Sequence, residues 1–319
     1  MGQPLASLLS PGSNALASGL GLPTTILSKW SYVEQRLTKL LVNIQITEAQ
    51  VKNGATSQAG VRACLNRNYW GMASESANSQ LIGSWAKLTR VRPSSDIDMI
   101  FLLPPAVYWR YQHRAGNRQS QLLQEVKTVL AATYSRTAFR GDRQVVVVPF
   151  DSIQIEVAPG FRCQDGSIIV CDAKGDGRYI TSTAEAEAQD LAVADAVYGG
   201  KVRVLIRLIK LWKRTCNVPL KSFMIERLAV EFLRGWSNAH RDTIWYDWMV
   251  RDFMAYLVSR ANGWIIMPGT GEIVWLGSDW LSRAQIAHRH ATIACIYEEQ
   301  NWDAAADEAW RQIFGAMPR

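Results

Sequence analysis

The stretch Gly83-Ser84-Trp85-Ala86-Lys87-Leu88-Thr89-Arg90-Val91-Arg92-Pro93-Ser94-Ser95-Asp96-Ile97-Asp98 decides how the rest of the chain is read. A Gly-Ser turn leads into a basic loop. The loop ends in Asp-x-Asp at the head of the apolar run Met99-Ile100-Phe101-Leu102-Leu103, which reads as a strand. Residues i and i+2 of a strand share a face. Asp96 and Asp98 therefore project together, while Ile97 and Met99 face the other way. Two adjacent carboxylates repel unless something neutralises them. A hard cation such as Mg²⁺ does so, because it takes oxygen ligands and shares them with phosphates. Taken alone, the pair also reads as an exposed turn with two solvated acids.

A third carboxylate lies downstream. In Ile153–Val157 the apolar Ile153, Ile155 and Val157 alternate with Gln154 and Glu156, the pattern of a half-buried strand. If this strand neighbours Asp96–Leu103, Glu156 can face the Asp pair. Three convergent carboxylates can hold two Mg²⁺ ions about 3.5–4 Å apart, a clamp on both attacking and leaving oxygens in phosphoryl transfer. The alternative for Glu156 is a salt-bridge residue on an exposed sheet face. Gly83 lets the backbone approach closely, and the hydroxyl and N–H of Ser84 suit phosphate oxygens.

Around this centre the chain divides into regions. Pro23 opens a helix over about 24–45, whose Leu27, Trp30, Val33, Leu37 and Leu40 mark one buried face. A less regular helix follows over 48–67, then a polar loop and a short strand at Ser79–Ile82. Pro104-Pro105 stops the Asp-bearing strand. Residues 119–134 read as a helix and 144–150 as a strand. The Ile153–Val157 strand is expected to end at Pro159-Gly160. From Thr183 onward the pattern is helical, over 184–197, 201–217, 220–236, 245–262 and 280–314, interrupted by a hairpin over 263–276. These readings predict an N-terminal arm (1–22), a small mixed α/β lobe with its bracing helix (23–178) and a C-terminal helical lobe (179–319).

The 319 residues suffice for two lobes, each with a core. No apolar run approaches the ~20 residues of a membrane span, and Met1–Gly21 lacks the basic start of a signal peptide. The five cysteines are scattered without a Cys-x-x-Cys pair, which fits a cytoplasmic protein with neither a disulfide framework nor a zinc site. A net charge of +7 favours anionic partners. There is no basic run that would indicate a nucleic-acid arm or activator. His288 and His290, at i and i+2, do not share a helical face.

Gly83-Ser84, Asp96-Ile97-Asp98 and the strand Ile155-Glu156-Val157-Ala158-Pro159-Gly160-Phe161 together resemble the DNA polymerase β-type nucleotidyltransferases. More narrowly, they are similar to the bacterial cyclic-oligonucleotide synthases (the CD-NTase family of CBASS) related to cyclic GMP–AMP synthase and 2′,5′-oligoadenylate synthetase. The similarity continues through Arg207-Leu208-Ile209-Lys210-Leu211-Trp212-Lys213, Pro219-Leu220-Lys221-Ser222-Phe223-Met224-Ile225-Glu226 and the ending Trp310-Arg311-Gln312-Ile313-Phe314-Gly315.

The resemblance implies an α/β plus α two-lobed fold. It implies a metal-dependent enzyme that joins nucleoside triphosphates into a cyclic di- or trinucleotide and releases pyrophosphate. It places two Mg²⁺ or Mn²⁺ ions on Asp96, Asp98 and Glu156, with Glu156 also helping to deprotonate the attacking hydroxyl. Gly83, Ser84, Lys210, Lys213 and Ser222 would meet the triphosphate, and Phe223 would stack on a base. A separate effector protein, activated by the product in anti-phage defence, is the implied partner. Without the resemblance, Lys210 and Lys213 equally read as the solvated edge of an amphipathic helix and Phe223 as core; Lys87, Arg90 and Arg92 would steer nucleotides or simply be solvated. Two residues depart from the family pattern. Leu88 stands where many members have Gly, implying a differently shaped loop, and Glu156 stands where Asp is commoner. Two other classes use the same parts: a transferase acting on an RNA end, a protein or a small molecule, and a non-catalytic nucleotide or nucleic-acid sensor.

Overall fold

A computed structural model describes residues 24–93, 96–134, 140–142 and 144–315. The expected arm over 1–22, Pro23 and the Ser94-Ser95 pair lie outside the described residues, as do the side chains of residues 24–31, Leu27 and Trp30 included. Helix α1 (Thr24–Ile44) is followed by α2 (Glu48–Trp70). Thr47 and Gln50 cap α2 reciprocally, each side chain meeting the other's backbone N–H. Strand β1 (Ser79–Leu81), the short helix α3 (Gly83–Ala86) and strand β2 (Asp96–Leu102) come next. Helices α4 (Pro105–Gln112) and α5 (Arg118–Thr133) precede strands β3 (Arg140–Asp142), β4 (Val145–Pro149), β5 (Gln154–Arg162), β6 (Ile168–Asp172) and β7 (Arg178–Thr181).

The strands form one mixed sheet. β1, β2, β5, β4 and β3 lie side by side in that order, with β6 pairing β5 further along and β7 pairing β6. β2 and β5 run parallel, and Asp98 stands directly opposite Glu156. The neighbours expected from alternation are therefore real, and in phase. Two expectations need correction. β5 does not end at Pro159-Gly160 but continues to Arg162. The reason lies in its partners: β4 pairs residues 154–157 and β6 pairs residues 160–162. Pro159 sits in the gap between them, where a missing N–H removes no bond to either antiparallel neighbour. The second is the connector between Gly160 and Thr183, where Asp165-Gly166 and Gly175-Asp176-Gly177 suggest only turns in a polar segment: it contains β6 and β7.

The second lobe is helical: α6 (Ala184–Val197), α7 (Lys201–Thr215), α8 (Ser222–Gly235), α9 (Tyr246–Ser259), α10 (Leu281–Glu299) and α11 (Asp303–Phe314), with the hairpin β8 (Trp264–Ile266) and β9 (Ile273–Trp275) between α9 and α10. Two large cores result, beside a small cluster of Ile100, Ala158, Ile168 and Val170. Ile97, Met99, Phe101, Ile155 and Val157 fill the sheet side of one with α2 and α5. The other gathers Leu205, Leu208, Trp212, Leu228, Phe253 and Trp310. Helix α1 puts Val33, Leu37, Leu40 and Ile44 into this helical core. It is pinned there by buried Arg36, which pairs with Glu298 at 2.7 Å and Asp307 at 2.9 Å. No described helix is long and apolar enough to cross a membrane.

Candidate active site

α7 and α8 show how the second lobe reaches the first. On α7 the apolar Val202, Leu205, Ile209 and Trp212 are buried. The opposite row, Arg203, Arg207, Lys210 and Arg214, recurs at steps of four, three and four and faces the loop after α3. α8 begins at Ser222 with no side-chain cap, and its first turn opens onto the same space. Between the lobes lies a cleft of ≈ 740 Å³. Gly83, Ser84, Asp96 and Asp98 line it from the sheet side, and Lys210, Lys213, Ser222 and Phe223 from the helical side. Lys213 reaches Ser222 at 3.4 Å, and Phe223 also leans on the helical core.

The carboxylates converge. Asp96, Asp98 and Glu156 each offer an oxygen within 4.8 Å of the others. Glu156 is not part of the cleft lining; it supports the group from β5, and Gln154 donates to it at 3.1 Å. Gly83 is packed against this group at φ +61°, and a Cβ there would stand 2.1 Å from Asp98 Oδ2. Glycine is thus demanded both by backbone angle and by space. The Ile82 N–H donates to the Asp98 carbonyl at 3.0 Å, fixing the turn to the strand. Burial, then the charges of Glu156 and Asp96, push the Asp98 carboxyl up to about 7. Their oxygen donors suit a hard divalent cation.

A second charged group flanks the cleft. Lys210 is buried, with its ammonium 2.6 Å from Glu226 and 2.8 Å from Thr89 Oγ1. Lys87 is buried too, bonded to Glu187 at 2.5 Å and Glu226 at 2.8 Å. Burial opposes ionisation of Glu226, but the two ammonium groups outweigh it and hold its pKa below the usual carboxylate range. Of the two readings of Lys87 as part of a basic loop, neither a solvated residue nor a free steering charge describes it, because both carboxylates enclose it. Lys210 lines the cleft as expected, yet not as an unpaired cation. Arg90 stacks on Trp85, 4.5 Å from the ring centre.

Leu88 has φ +58°, the left-handed region natural to glycine, and is exposed. The backbone therefore takes a glycine-like turn despite the leucine. Cleft residues with no sequence signal include Asn217 and Thr181–Thr183. They lie at a strand end and in the connections beside it and after α7, where no periodicity marks them.

With this geometry in place, the family described as Second Messenger Oligonucleotide or Dinucleotide Synthetase domain matches residues 32–194, half of the chain. The chain belongs to this family. Solved structures share the fold. The E. coli MS115-1 CdnC complexed with HORMA-deltaN has a TM-score of 0.64 at 14% identity, covering 90% of this chain and 96% of that one. Vibrio cholerae DncV cyclic AMP-GMP synthase, bound to the linear intermediate pppA(3′,5′)pG, has a TM-score of 0.61 at 13% identity, covering 96% and 91%. Bradyrhizobium diazoefficiens CD-NTase CdnG with GTP has a TM-score of 0.62 at 14% identity, covering 88% and 94%. No curated protein matches the sequence. As a member of this synthetase family the protein is a nucleotidyltransferase, and its two lobes are those of the polymerase β-like fold.

Proposed function

We propose that this synthetase joins nucleoside triphosphates into a cyclic di- or trinucleotide, using Asp96, Asp98 and Glu156 as metal ligands. One observation carries the reading: the in-register pair Asp98 and Glu156, with Asp96 beside it, brings three ligand oxygens within 4.8 Å at a cleft lined by Ser84 and Ser222. Two Mg²⁺ or Mn²⁺ ions bound there would neutralise charge on the attacking and leaving oxygens. Ser84 and Gly83 hold the triphosphate from one side, and Lys210, Lys213 and Ser222 from the other. Phe223 stacks on a base, a contact that tolerates every base. A 2′- or 3′-hydroxyl oxygen attacks the α-phosphorus, pyrophosphate leaves, and Glu156 helps to take the hydroxyl proton. The product would activate a separate effector in anti-phage defence within the cytoplasm.

Purified protein with Mg²⁺ or Mn²⁺ and the four triphosphates should give a phosphatase-resistant product by mass spectrometry. Leaving out each triphosphate in turn identifies the bases. Asp96→Ala with Asp98→Ala should abolish the product, and its persistence would remove the site assignment. Elongated RNA or nucleotidylated protein as the sole product would instead favour the transferase reading. Nucleotide binding without turnover would favour the sensor.

A further inference from the structure

The cationic row of α7 does something that its sequence spacing does not announce. Arg203 Nε donates to the Lys87 carbonyl at 2.8 Å, and an Arg207 terminal nitrogen to the Leu88 carbonyl at 3.0 Å. Lys210 Nζ reaches the Thr89 carbonyl at 3.3 Å, and Arg214 bonds the Arg92 carbonyl. Four cations in order along one helix face thus hold four backbone oxygens in order along one loop. The loop is the one that joins Ser84 to Asp96. Its other side is tied to α1, where the Arg92 N–H donates to the Ile44 carbonyl at 2.7 Å. The left-handed turn at Leu88 accompanies this arrangement, since three of the held carbonyls belong to Leu88 and its two neighbours. Hydrogen bonds from charged donors are roughly twice as strong as neutral ones, so the row is a substantial tie between the lobes.

Lys210 and Arg214 line the cleft, whereas Arg203 and Arg207 are not among its lining residues. Arg203 has a second duty, an ion pair with buried Asp195. Arg207 has no carboxylate within ion-pair range among the described residues, and its terminal nitrogen bonds to the loop instead. Burial lowers its pKa, with Asp195 acting in the opposite direction. A guanidinium placed in this way, away from the substrate space and bonded to the triphosphate loop, costs desolvation that the loop carbonyl repays in part.

We propose that Arg207, assisted by Arg203, is a positioning residue: it holds residues 87–92 against the helical lobe, so that Ser84 and the Asp pair face Lys210 and Ser222 across the cleft. This rests on the nucleotidyltransferase reading for its catalytic consequence, but not for the clamp itself. The full chain is compared with Arg207→Met and Arg207→Lys. Three quantities are read: hydrogen exchange over residues 86–93, affinity for a non-hydrolysable triphosphate with Mg²⁺, and KM against kcat for pyrophosphate release. Arg207→Met should speed exchange in this segment, while exchange in the α9–α10 core stays unchanged. Its triphosphate Kd and KM should rise about tenfold, the scale of one lost hydrogen bond from a charged donor, and kcat should fall less. Arg207→Lys keeps a charged donor and should recover part of both effects. Wild-type exchange and affinity in Arg207→Met would overturn the proposal, as would losses that spread evenly through the fold. If Arg207→Met does not fold, Arg207→Lys against wild type decides by the same readings. If the wild-type protein releases no pyrophosphate with any triphosphate, the reaction assignment falls, while exchange and analogue affinity still decide the clamp.

Discussion

Two charged groups border the same cleft and are built on opposite principles. Lys87, Lys210, Glu187 and Glu226 carry two positive and two negative charges, bonded at 2.5–2.8 Å. Asp96, Asp98 and Glu156 are all acids, with their oxygens within 4.8 Å. The first group is electrically closed and ties the lobes together. The second is open, a set of oxygen donors suited to a cation. Acids held this close repel one another at a stability cost, so this group is where function is expected, and the closed group is where integrity is.

Asp98→Asn tests the contrast most strongly. It should cut product formation by about a thousandfold or more, because a charged ligand at the reacting centre is lost. The same change should raise thermal stability in a chelator-containing buffer, by about 1–2 kcal/mol, because one repelling charge disappears. Loss of activity together with loss of stability would mean that the trio is a structural network. Calorimetry with and without Mg²⁺ separates the two outcomes.

The closed group should respond in the opposite sense. Glu226→Gln leaves two buried ammonium groups against one remaining carboxylate, and should cost about 3–5 kcal/mol in denaturant unfolding. The double variant Lys210→Met with Glu226→Leu leaves Lys87 paired with Glu187 and fills the space with apolar atoms. It should recover most of the stability, but not the activity if Lys210 meets phosphate. Recovery of both would remove Lys210 from the substrate site and sharpen the division between the groups.

How much of this was legible in the sequence depends on distance along the chain. The Asp pair and Glu156 follow from strand parity, a rule that works within five residues, and only their neighbourhood had to be supplied by the sheet. The helical periodicity of Val33–Leu40 and of α7 was legible for the same reason. Glu226 and Lys87 are 139 residues apart, and Lys87 and Glu187 are 100 apart. No local pattern links them, so a buried Lys87 read as loop charge. Pro159 misled because a rule about central strands ignores a strand that exchanges partners. Arg207 was quoted for its motif, but its carbonyl partner at Leu88, 119 residues away, has no side-chain signature at all.

A third buried acid lies far from either group and calibrates both. Asp247 is fully buried on α9, and the nearby Arg251 pairs with Asp252 instead. Burial, with Glu298 adding to it, pushes its carboxyl from 3.8 up to about 7. The folded state therefore holds this proton over a range in which the unfolded chain has released it. Stability from Asp247 is present below about pH 4 and lost as the pH rises to about 7. The difference in unfolding free energy between wild type and Asp247→Asn should shift in favour of the variant across that window, by up to a few kcal/mol. A flat difference from pH 4 to 8 would show that Asp247 ionises normally.

The smallest effect concerns the loop that links the two groups. Leu88 is exposed and left-handed, so Leu88→Gly removes no core packing. The left-handed region costs an L-residue about 1–2 kcal/mol, while glycine loosens the unfolded chain by about 0.4–1 kcal/mol. The balance favours glycine by roughly half a kcal/mol on these two figures, a rise of a degree or two in melting temperature. Activity should not change, because the α7 cations hold the carbonyls and not the leucine side chain. Arg207→Met combined with Leu88→Gly should then lose more triphosphate affinity than Arg207→Met alone, since a glycine turn without its clamp has more conformations to leave. Equal affinities in the two backgrounds would mean that the turn is rigid by itself, and that the closed group, not the cationic row, holds the loop beside the open one.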